Sequence, residues 1–498
     1  MTLVGAPRVP HLRVEPDMEQ RPTVHDTRRA ALAGLMAGTP VAVVVTGALA
    51  AVAPEVAVLL LVVAAVGVAV WFRPVVAAVL TVTITPLVAG IDRGRIFPVF
   101  RPNEALVAFL AGVLILRWLV ATLPGHRFVV RPNRIEVALM AMATANSVLP
   151  LLVMALRGQR IEADDISYAL VLWKYLGVYA LVRATVRTDR HIRICLWTAL
   201  FSAAIVGLIG VLQALDLLGV RAALVGYYAP FGYTGALAAP RGGSTLALPA
   251  ATADLLILNL VAACGLWWKD RRHGAVLLVL AAICVAGTFG AAEFSSALGL
   301  LIAVLCMTWA ARRLHLLRWA PVAVVGGAAA LWPVIEHRIA GFQNVSGLPV
   351  SWTTRWFNLK TYFWPELFTG SNPLLGVRPA ARVVAANQGT GFVWIESGYT
   401  WLLWGGGLPL FAAFFFFVWV SLRTLWPQVR VLDSYASVAA LAAFVGICVM
   451  TVLMIFDPHL TYRGAADWLF ALLAMTSAAK RARGNEPPVR SAPTRRVP

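Results

Sequence analysis

The feature that most constrains this chain is a series of long apolar runs between Ala31 and Met475. Each run spans about 17–25 residues, which as a helix is enough to cross the hydrocarbon core of a bilayer. Of the 498 residues, 60% are hydrophobic and only 13% are charged, whereas soluble proteins usually carry about 25% charge. Backbone polar groups inside a bilayer must pair within the protein, so such spans are helices. The sequence therefore predicts an all-α, polytopic membrane protein.

The spacing of these runs predicts a bundle of about 12–14 transmembrane helices. The chain divides into an N-terminal tail at 1–30, helices 1–11 within 31–335, a large loop of short helices at 336–397, helices 12–14 within 398–480, and a disordered tail at 481–498. A second long loop is expected at 216–245. The candidate spans lie near residues 31–52, 55–72, 74–90, 104–123, 135–155, 165–183, 192–215, 246–268, 274–291, 295–311, 318–335, 398–422, 435–456 and 464–479.

The short connections on one side of these spans are basic. The chain has a net charge of +19, with 42 Lys and Arg against 23 Asp and Glu. Such an excess can indicate nucleic-acid binding, but in a membrane protein it is typical of cytoplasmic loops, so we expect no nucleic-acid partner. With the N-terminus inside, both termini and every basic connection are cytoplasmic. These connections read PGHRFVVRPNR, RATVRTDRHIR, KDRRHG, ARRLHLLR, RTLWPQVR and KRARG.

The predicted outer face is also rich in arginine, which the positive-inside rule does not explain. One interpretation is that these arginines pair with nearby Asp and Glu residues. The other is an anionic ligand, because the planar guanidinium fork binds phosphate oxygens bidentately. We favour the second interpretation for only a few of them. The full set of outer arginines comprises Arg93, Arg95, Arg101, Arg157, Arg160, Arg221, Arg241, Arg338, Arg355, Arg378, Arg382 and Arg463.

Motifs of soluble enzymes are absent from the sequence: there is no Walker loop, no HExxH and no GxSxG. The predicted outer loops also lack a DxD pair of the kind that holds a divalent cation for nucleotide-sugar transfer. The acidic run EADD at 162–165 is interpreted as a charge cluster at a helix N-terminus. We therefore predict no metal site and no cofactor.

Four stretches, in order, resemble the bacterial O-antigen ligases and polymerases, which are lipid-linked oligosaccharide transferases. The first resembles that family's Arg–Gly–Thr segment before a central span, and the second a hairpin that often contains Ser-Arg-Gly. The third resembles an Arg–Trp helix followed by a Pro…Gly-Val-Gly turn, and the fourth a polar dipeptide before a glycine-ending span. The stretches are PRGGSTLALPAATADLL, GTFGAAEFSSALGLL, TTRWFNLKTYFWPELFTGSNPLLGVRP and IESGYTWLLWGGGLPL, and the resemblance covers roughly residues 190–420.

The resemblance implies a metal-independent glycosyltransferase of the GT-C type at the outer face of the bacterial plasma membrane. It would transfer or polymerise a glycan from a polyprenyl-diphosphate donor onto a glycan or lipid-glycan acceptor, in assembly of the cell envelope. Two departures matter. Glu396-Ser397 stands where the ligases have His-Asn-like residues, which favours a polymerase-like member. The hairpin reads EFSS, with Glu293 and no arginine, so one phosphate contact of the family is in question.

Glu396 is the candidate general base for the acceptor hydroxyl, because a carboxylate near the membrane interface has the right chemistry and an elevated pKa. The alternative is a structural salt bridge from Glu396 to a loop arginine. The donor diphosphate needs cations, and these can act without a metal. The candidates are Arg241, Arg355, Arg378, Arg338 and Lys174.

Several of these side chains have a simpler interpretation. Arg355 lies between Trp352 and Trp356 and could be an interfacial arginine that snorkels. Lys174 lies inside a span and could pair with Asp254, which lies inside another. His337 and His459 are interpreted as satisfied surface residues and rank below Glu396 as bases.

Two other functions fit a protein of this class. A flippase or transporter of lipid-linked glycan would also have many spans and a basic cavity, but it should show two pseudo-symmetric halves. No internal repeat is visible, and the polar residues concentrate on one face. A peptidoglycan polymerase of the shape, elongation and division type also uses lipid-linked donors, but its motifs cannot be matched to this sequence.

Overall fold

The computed structural model describes residues 54–97, 100–122, 132–228, 237, 240–319, 350–385 and 391–484, with five single positions between 325 and 336. Contacts divide the chain into two units: residues 1–68 with 115–129, and residues 69–114 with 130–498. The described part of the first unit, 54–68 and 115–122, is helical. The second unit contains all the residues discussed below.

The described residues of the second unit form a mainly helical bundle, and those of the first unit are also helical. Nine helical segments among them are apolar and long enough to cross a membrane, and three shorter apolar helices accompany them. This confirms the prediction of a multi-pass helical protein. The helices are α1 (Pro54–Phe72), α2 (Val75–Val88), α3 (Pro102–Thr122), α4 (Arg134–Leu156), α5 (Ala163–Ala169), α6 (Val171–Thr185), α7 (Asp189–Ala214), α8 (Val220–Tyr227), α9 (Pro249–Lys269), α10 (Gly274–Gly290), α11 (Phe294–Ala310), α12 (Val350–Asn358), α13 (Trp364–Leu367), α14 (Asn372–Leu375), α15 (Gly398–Val429), α16 (Tyr435–Leu453) and α17 (Ala465–Gly484).

Twelve of the fourteen candidate spans correspond to described helices, counting α5 and α6 as one span. The span predicted at 31–52, most of the span at 318–335, the tail at 1–30 and Arg338 lie outside the described residues. Helix α17 continues to Gly484, four residues past the predicted boundary at 480. Residues 485–498 of the predicted tail are not among those described.

Helices α9 and α16 form the centre of the bundle, with 89% and 83% of their apolar windows buried. They approach closely because glycines face large side chains. A Cβ at Gly446 would lie 2.3 Å from a methyl carbon of Leu258, and one at Gly265 would lie 2.8 Å from a methyl carbon of Val438. Small residues at helix interfaces are the usual means of close packing in membranes, where lipid is as apolar as leucine.

The predicted large loop contains more than short helices. A π-helical turn at Leu359–Phe363 connects α12 to α13, and α14 follows. Two strands, β1 (Arg382–Val384) and β2 (Phe392–Trp394), then pair antiparallel with Val383 opposite Val393. This hairpin was not predicted from the sequence. It matters for the site because β2 leads directly to Glu396.

The glycine run in WLLWGGGLPL breaks α15 where it packs on α4 and on α14. Gly407 has φ 62° and ψ −157°, a conformation that L side chains rarely adopt. A Cβ there would lie 2.4 Å from the Leu374 carbonyl oxygen, and a Cβ at Gly406 would lie 2.4 Å from the Ala145 carbonyl oxygen. The carbonyl of Trp404 accepts a hydrogen bond from the backbone N–H of Val377 at 2.7 Å. The glycines therefore allow the loop to dock against the helix.

Candidate functional site

Glu396 lies in the short link between β2 and α15. Ser397 caps α15 by accepting a hydrogen bond from the Thr400 N–H at 3.3 Å, and the Gly398 N–H donates to the Met454 carbonyl at 2.7 Å. These contacts fix the backbone on both sides of Glu396. The carboxylate accepts from Asn358 Nδ2 at 3.3 Å and lies 3.8 Å from Arg355 Nε. Its side chain is 33% exposed, so it is held in place but still accessible.

Burial raises the pKa of Glu396 above the ordinary value of a glutamate. The Arg355 charge and the Asn358 hydrogen bond oppose this shift, whereas the negative charge of Glu293 adds to it. A carboxylate with a raised pKa is a better proton acceptor near neutral pH. The geometry is compatible with a general base and also with the weak salt bridge to Arg355.

Arg355 lies between two carboxylates. Its Nη2 is 2.8 Å from Asp457 Oδ2, much closer than its contact with Glu396. Burial raises the pKa of Asp457 to about 6, although Arg355 and His459 act in the opposite direction. Burial alone would lower the pKa of Arg355, but Asp457 and Glu396 outweigh it and raise that pKa. The Arg355 guanidinium is thus held between carboxylates in a side chain that is only 20% exposed, which argues against the snorkelling interpretation.

Asp457 and His459 belong to the connector between α16 and α17, residues 454–464. His459 Nδ1 lies 2.6 Å from Asp254 Oδ2, and the imidazole is 1% exposed. Burial disfavours the imidazolium, but the Asp254 carboxylate outweighs it and raises the pKa of His459. The prediction that Lys174 pairs with Asp254 is therefore wrong, as is the interpretation of His459 as a surface residue. Sequence reasoning also missed the contribution of Asp457.

Arg241 lies in a tight loop before α9. A Cβ at the next residue, Gly242, would lie 2.8 Å from the Gly210 carbonyl oxygen, and the Gly242 N–H donates to the Gly290 carbonyl at 2.9 Å. This contact joins two of the stretches that resemble the family, and Arg241 Nη1 lies 3.1 Å from Glu293 Oε1. Glu293 is the residue that departs from the family's Ser-Arg. The hairpin therefore contributes an anion to this loop.

Glu293 connects Arg241 to the residues around Glu396. It pairs with Arg241, and its negative charge raises the pKa values of Glu396, Arg355 and Asp457. The two arginines of this group face four carboxyl groups, and its histidine is paired with one of them. The positive charge of the arginines is therefore already compensated. We call this group the Glu396 cluster; it comprises Arg241, Asp254, Glu293, Arg355, Asn358, Glu396, Asp457 and His459.

Arg378 makes a different set of contacts. Its Nε and Nη2 lie 2.9 and 2.6 Å from the two carboxylate oxygens of Asp165, a fully buried side chain. The Ala380 N–H also donates to Asp165 at 3.3 Å, and Glu162 lies 3.7 Å from Arg378. The EADD run does form the N-terminus of α5, with Glu162 as its N-cap, as the sequence predicted. The contacts favour Arg378 as an anchor between the loop and α5.

Lys174, the remaining candidate for the diphosphate, lies inside the bundle. Its Nζ is 3.3 Å from Asp467 Oδ1 and lies 4.2 Å from the ring centroid of Tyr175. Asp467 also accepts from the Gly464 N–H at 2.8 Å, at the start of α17. The structure thus brings Arg355 and Glu396 together, pairs Arg241 with Glu293, and places Arg378 and Lys174 in separate contacts.

Comparison with protein-family models, with curated proteins and with solved structures gave no match. The interpretation of the site therefore depends on its own chemistry and on the resemblance of the four stretches.

Proposed function

We propose that the chain is a metal-independent membrane glycosyltransferase of the O-antigen ligase and polymerase type. It would use a polyprenyl-diphosphate glycan donor at the outer face of the bacterial plasma membrane. The observation that supports this best is Glu396, an accessible carboxyl with a raised pKa, held beside Arg355. The Arg–Gly loop, the hairpin and the Arg–Trp helix contribute residues to the same cluster, in line with the resemblance.

The proposed reaction needs one base and one stabilised leaving group. The acceptor hydroxyl oxygen attacks the anomeric carbon of the donor sugar, and its proton passes to the Glu396 carboxylate. The new C–O bond forms as the bond between that carbon and the diphosphate oxygen breaks. The electron pair leaves with the polyprenyl diphosphate, whose added charge Arg241 and Arg355 stabilise.

Binding of the diphosphate requires these arginines to exchange a carboxylate for a phosphate oxygen. At Arg355 the raised pKa of Asp457 favours this exchange, because a protonated carboxyl competes poorly for a guanidinium. Bidentate guanidinium–phosphate pairs are also among the stronger charged hydrogen bonds.

The test is Glu396→Gln, which keeps the size of the side chain but cannot accept the proton. Because general-base catalysis contributes about 10²–10⁴-fold, the variant should make little or no long-chain surface glycan in a deletion strain while retaining the wild-type melting temperature when purified. The matched control is Glu366→Gln, an exposed glutamate of the same loop, which should restore the wild-type glycan.

A salt-bridge role for Glu396 predicts the opposite result, a destabilised protein with full activity per folded molecule. The deletion strain also separates the alternatives. Single repeats on the carrier indicate a polymerase, and full-length unattached polymer indicates a ligase. Loss of outward transport indicates a flippase and would overturn the proposal.

A further inference from the structure

A second group of cations lies where α3 and α17 begin. Arg101, just before α3, is only 12% exposed and contacts Asp92 at 3.2 Å. Arg463, just before α17, donates from Nη1 to the Ala89 carbonyl at 3.3 Å. Lys174 reaches the same region through Asp467. We call this group the Arg101–Arg463 cluster; it comprises Arg93, Arg101, Lys174 and Arg463 with Asp92, Glu104 and Asp467.

The two guanidinium groups lie close together, because Arg463 donates to the Ala89 carbonyl and Arg101 contacts Asp92, three positions further along the same segment. Their like charges repel each other. Burial and then the charge of Arg463 lower the pKa of Arg101 to about 9, and burial also lowers the pKa of Arg463. Arg101 Nε is buried and has no hydrogen-bond partner among the described residues. Four cations face three carboxylates here, whereas in the Glu396 cluster two arginines face four carboxyl groups. An oxyanion between Arg101 and Arg463 would relieve the repulsion.

The two clusters are close along the chain. The connector at 454–464 contributes Asp457 and His459 to the first cluster and Arg463 to the second. Asp457 and Arg463 are six positions apart in the chain, so their Cα atoms lie within about 20–22 Å. The side chain of Tyr175 ties the connector to α6 by donating to the Thr461 carbonyl at 2.8 Å. Two lipid-linked substrates bound at the two clusters would therefore have their head groups near each other.

We propose that Arg101, Arg463 and Lys174 form a second oxyanion site, which binds the phosphate or diphosphate group of a second lipid-linked substrate, the acceptor. This inference rests on the proposed glycosyl transfer, which joins a donor and an acceptor. It adds a binding site that lies outside the four stretches and that, apart from Lys174, shares no residue with the candidates for the donor diphosphate.

The experiment measures binding of radiolabelled farnesyl diphosphate to the purified full-length protein by equilibrium dialysis. We expect two bound molecules per chain. Arg101→Gln and Arg463→Gln should each weaken one site at least about 30-fold, since loss of a buried charged contact costs about 2 kcal/mol or more. Arg160→Gln, an exposed arginine, is the control and should change neither site.

Retained binding at the unaffected site shows in the same sample that a variant is folded. If Arg101→Gln does not fold, Arg101→Lys keeps the charge but loses the guanidinium fork, and it should also weaken the site. Wild-type affinity and stoichiometry in the Arg101 and Arg463 variants would overturn the inference.

Arg355→Gln separates the inference from the proposed function. If Arg101→Gln removes one bound molecule and Arg355→Gln removes none, the second site stands and the assignment of Arg355 is wrong. The reverse pattern removes the second site alone. Competition with dihexanoyl phosphatidate, a soluble phospholipid, tests whether the phosphate belongs to a membrane lipid. If this lipid displaces the probe from the second site as effectively as unlabelled farnesyl diphosphate does, the site binds membrane head groups. The assignment to a substrate is then wrong.

Discussion

Arg378 was predicted to bind the donor diphosphate, but its contacts with Asp165 favour a role as an anchor between the loop and α5. Breaking this ion pair tests which role is correct. Arg378→Gln removes a bidentate partner from a carboxylate that is 0% exposed, while the guanidinium itself is 28% exposed. Breaking a buried ion pair costs about 3–5 kcal/mol, because the remaining charge stays buried without compensation. The partial exposure of Arg378 places the expected loss of unfolding free energy near the lower end, at about 3 kcal/mol.

A double-mutant cycle isolates this interaction. Asp165→Asn removes the charge and keeps one oxygen, which can accept from either the Glu162 N–H or the Ala380 N–H, because these two groups donate to different carboxylate oxygens. The double variant should therefore be more stable than Arg378→Gln alone, with a coupling energy of at least about 1 kcal/mol. The control is Arg382→Gln, whose pair with Asp164 is about one-third exposed on both sides. It should lose no more than about 1 kcal/mol.

The assay is equilibrium unfolding in mixed detergent micelles, with glycan production measured per folded molecule. The anchor role predicts that Arg378→Gln loses stability and keeps its activity per folded molecule. A variant with wild-type stability and strongly reduced activity would refute this reasoning and return Arg378 to the diphosphate site.

Three further predictions concern the connector, the break in α15 and the topology. Between about pH 4 and 6 the folded protein holds a proton on Asp457 that the unfolded chain has released, because burial raises the pKa from 3.8 to about 6. Stability should therefore fall as pH rises through this range, and Asp457→Asn should flatten that slope in unfolding measurements. Gly407→Ala should lower unfolding free energy by about 1–3 kcal/mol or more, because its Cβ meets the Leu374 carbonyl; unchanged stability would contradict the close approach. A cysteine at Ser371 should react with an impermeant thiol reagent from outside the cell, and one at Gly274 should not; reversed labelling would place Glu396 in the cytoplasm.

The helices could be predicted because the bilayer imposes a length and a composition on each span. The hairpin could not be read from hydropathy. Its strands have three residues each, and the signal is only the pairing of ARVVA with GFVWI across a short polar segment. The break at Gly407 was also unpredicted, although three glycines followed by Leu-Pro indicate that a regular helix is interrupted.

Arg241, Arg355 and Glu396 could be proposed from the sequence, because a diphosphate needs cations such as arginine and deprotonation of a hydroxyl needs a base such as glutamate. The partners could not be predicted, because Asp254 and His459 are 205 positions apart and Arg378 and Asp165 are 213 positions apart. One local signal was available for the connector. The stretch FDPHLTYRG places four ionisable side chains, Asp457, His459, Tyr462 and Arg463, between two apolar helices, and such residues near a membrane are rarely without a function.

The proposed site must hold a general base close to the donor diphosphate, and these two groups need opposite electrostatic surroundings. A carboxylate surrounded by cations has a low pKa and is a weak base, whereas a diphosphate needs cations around it. In the Glu396 cluster, burial outweighs the charge of Arg355 and the negative charge of Glu293 adds to its effect, so Glu396 keeps a raised pKa beside Arg355. A donor diphosphate bound to Arg355 would add negative charge near Glu396 and raise that pKa further. Departure of the polyprenyl diphosphate would lower the pKa again and release the proton that Glu396 took from the acceptor. On this proposal, the leaving group itself resets the base for the next turnover.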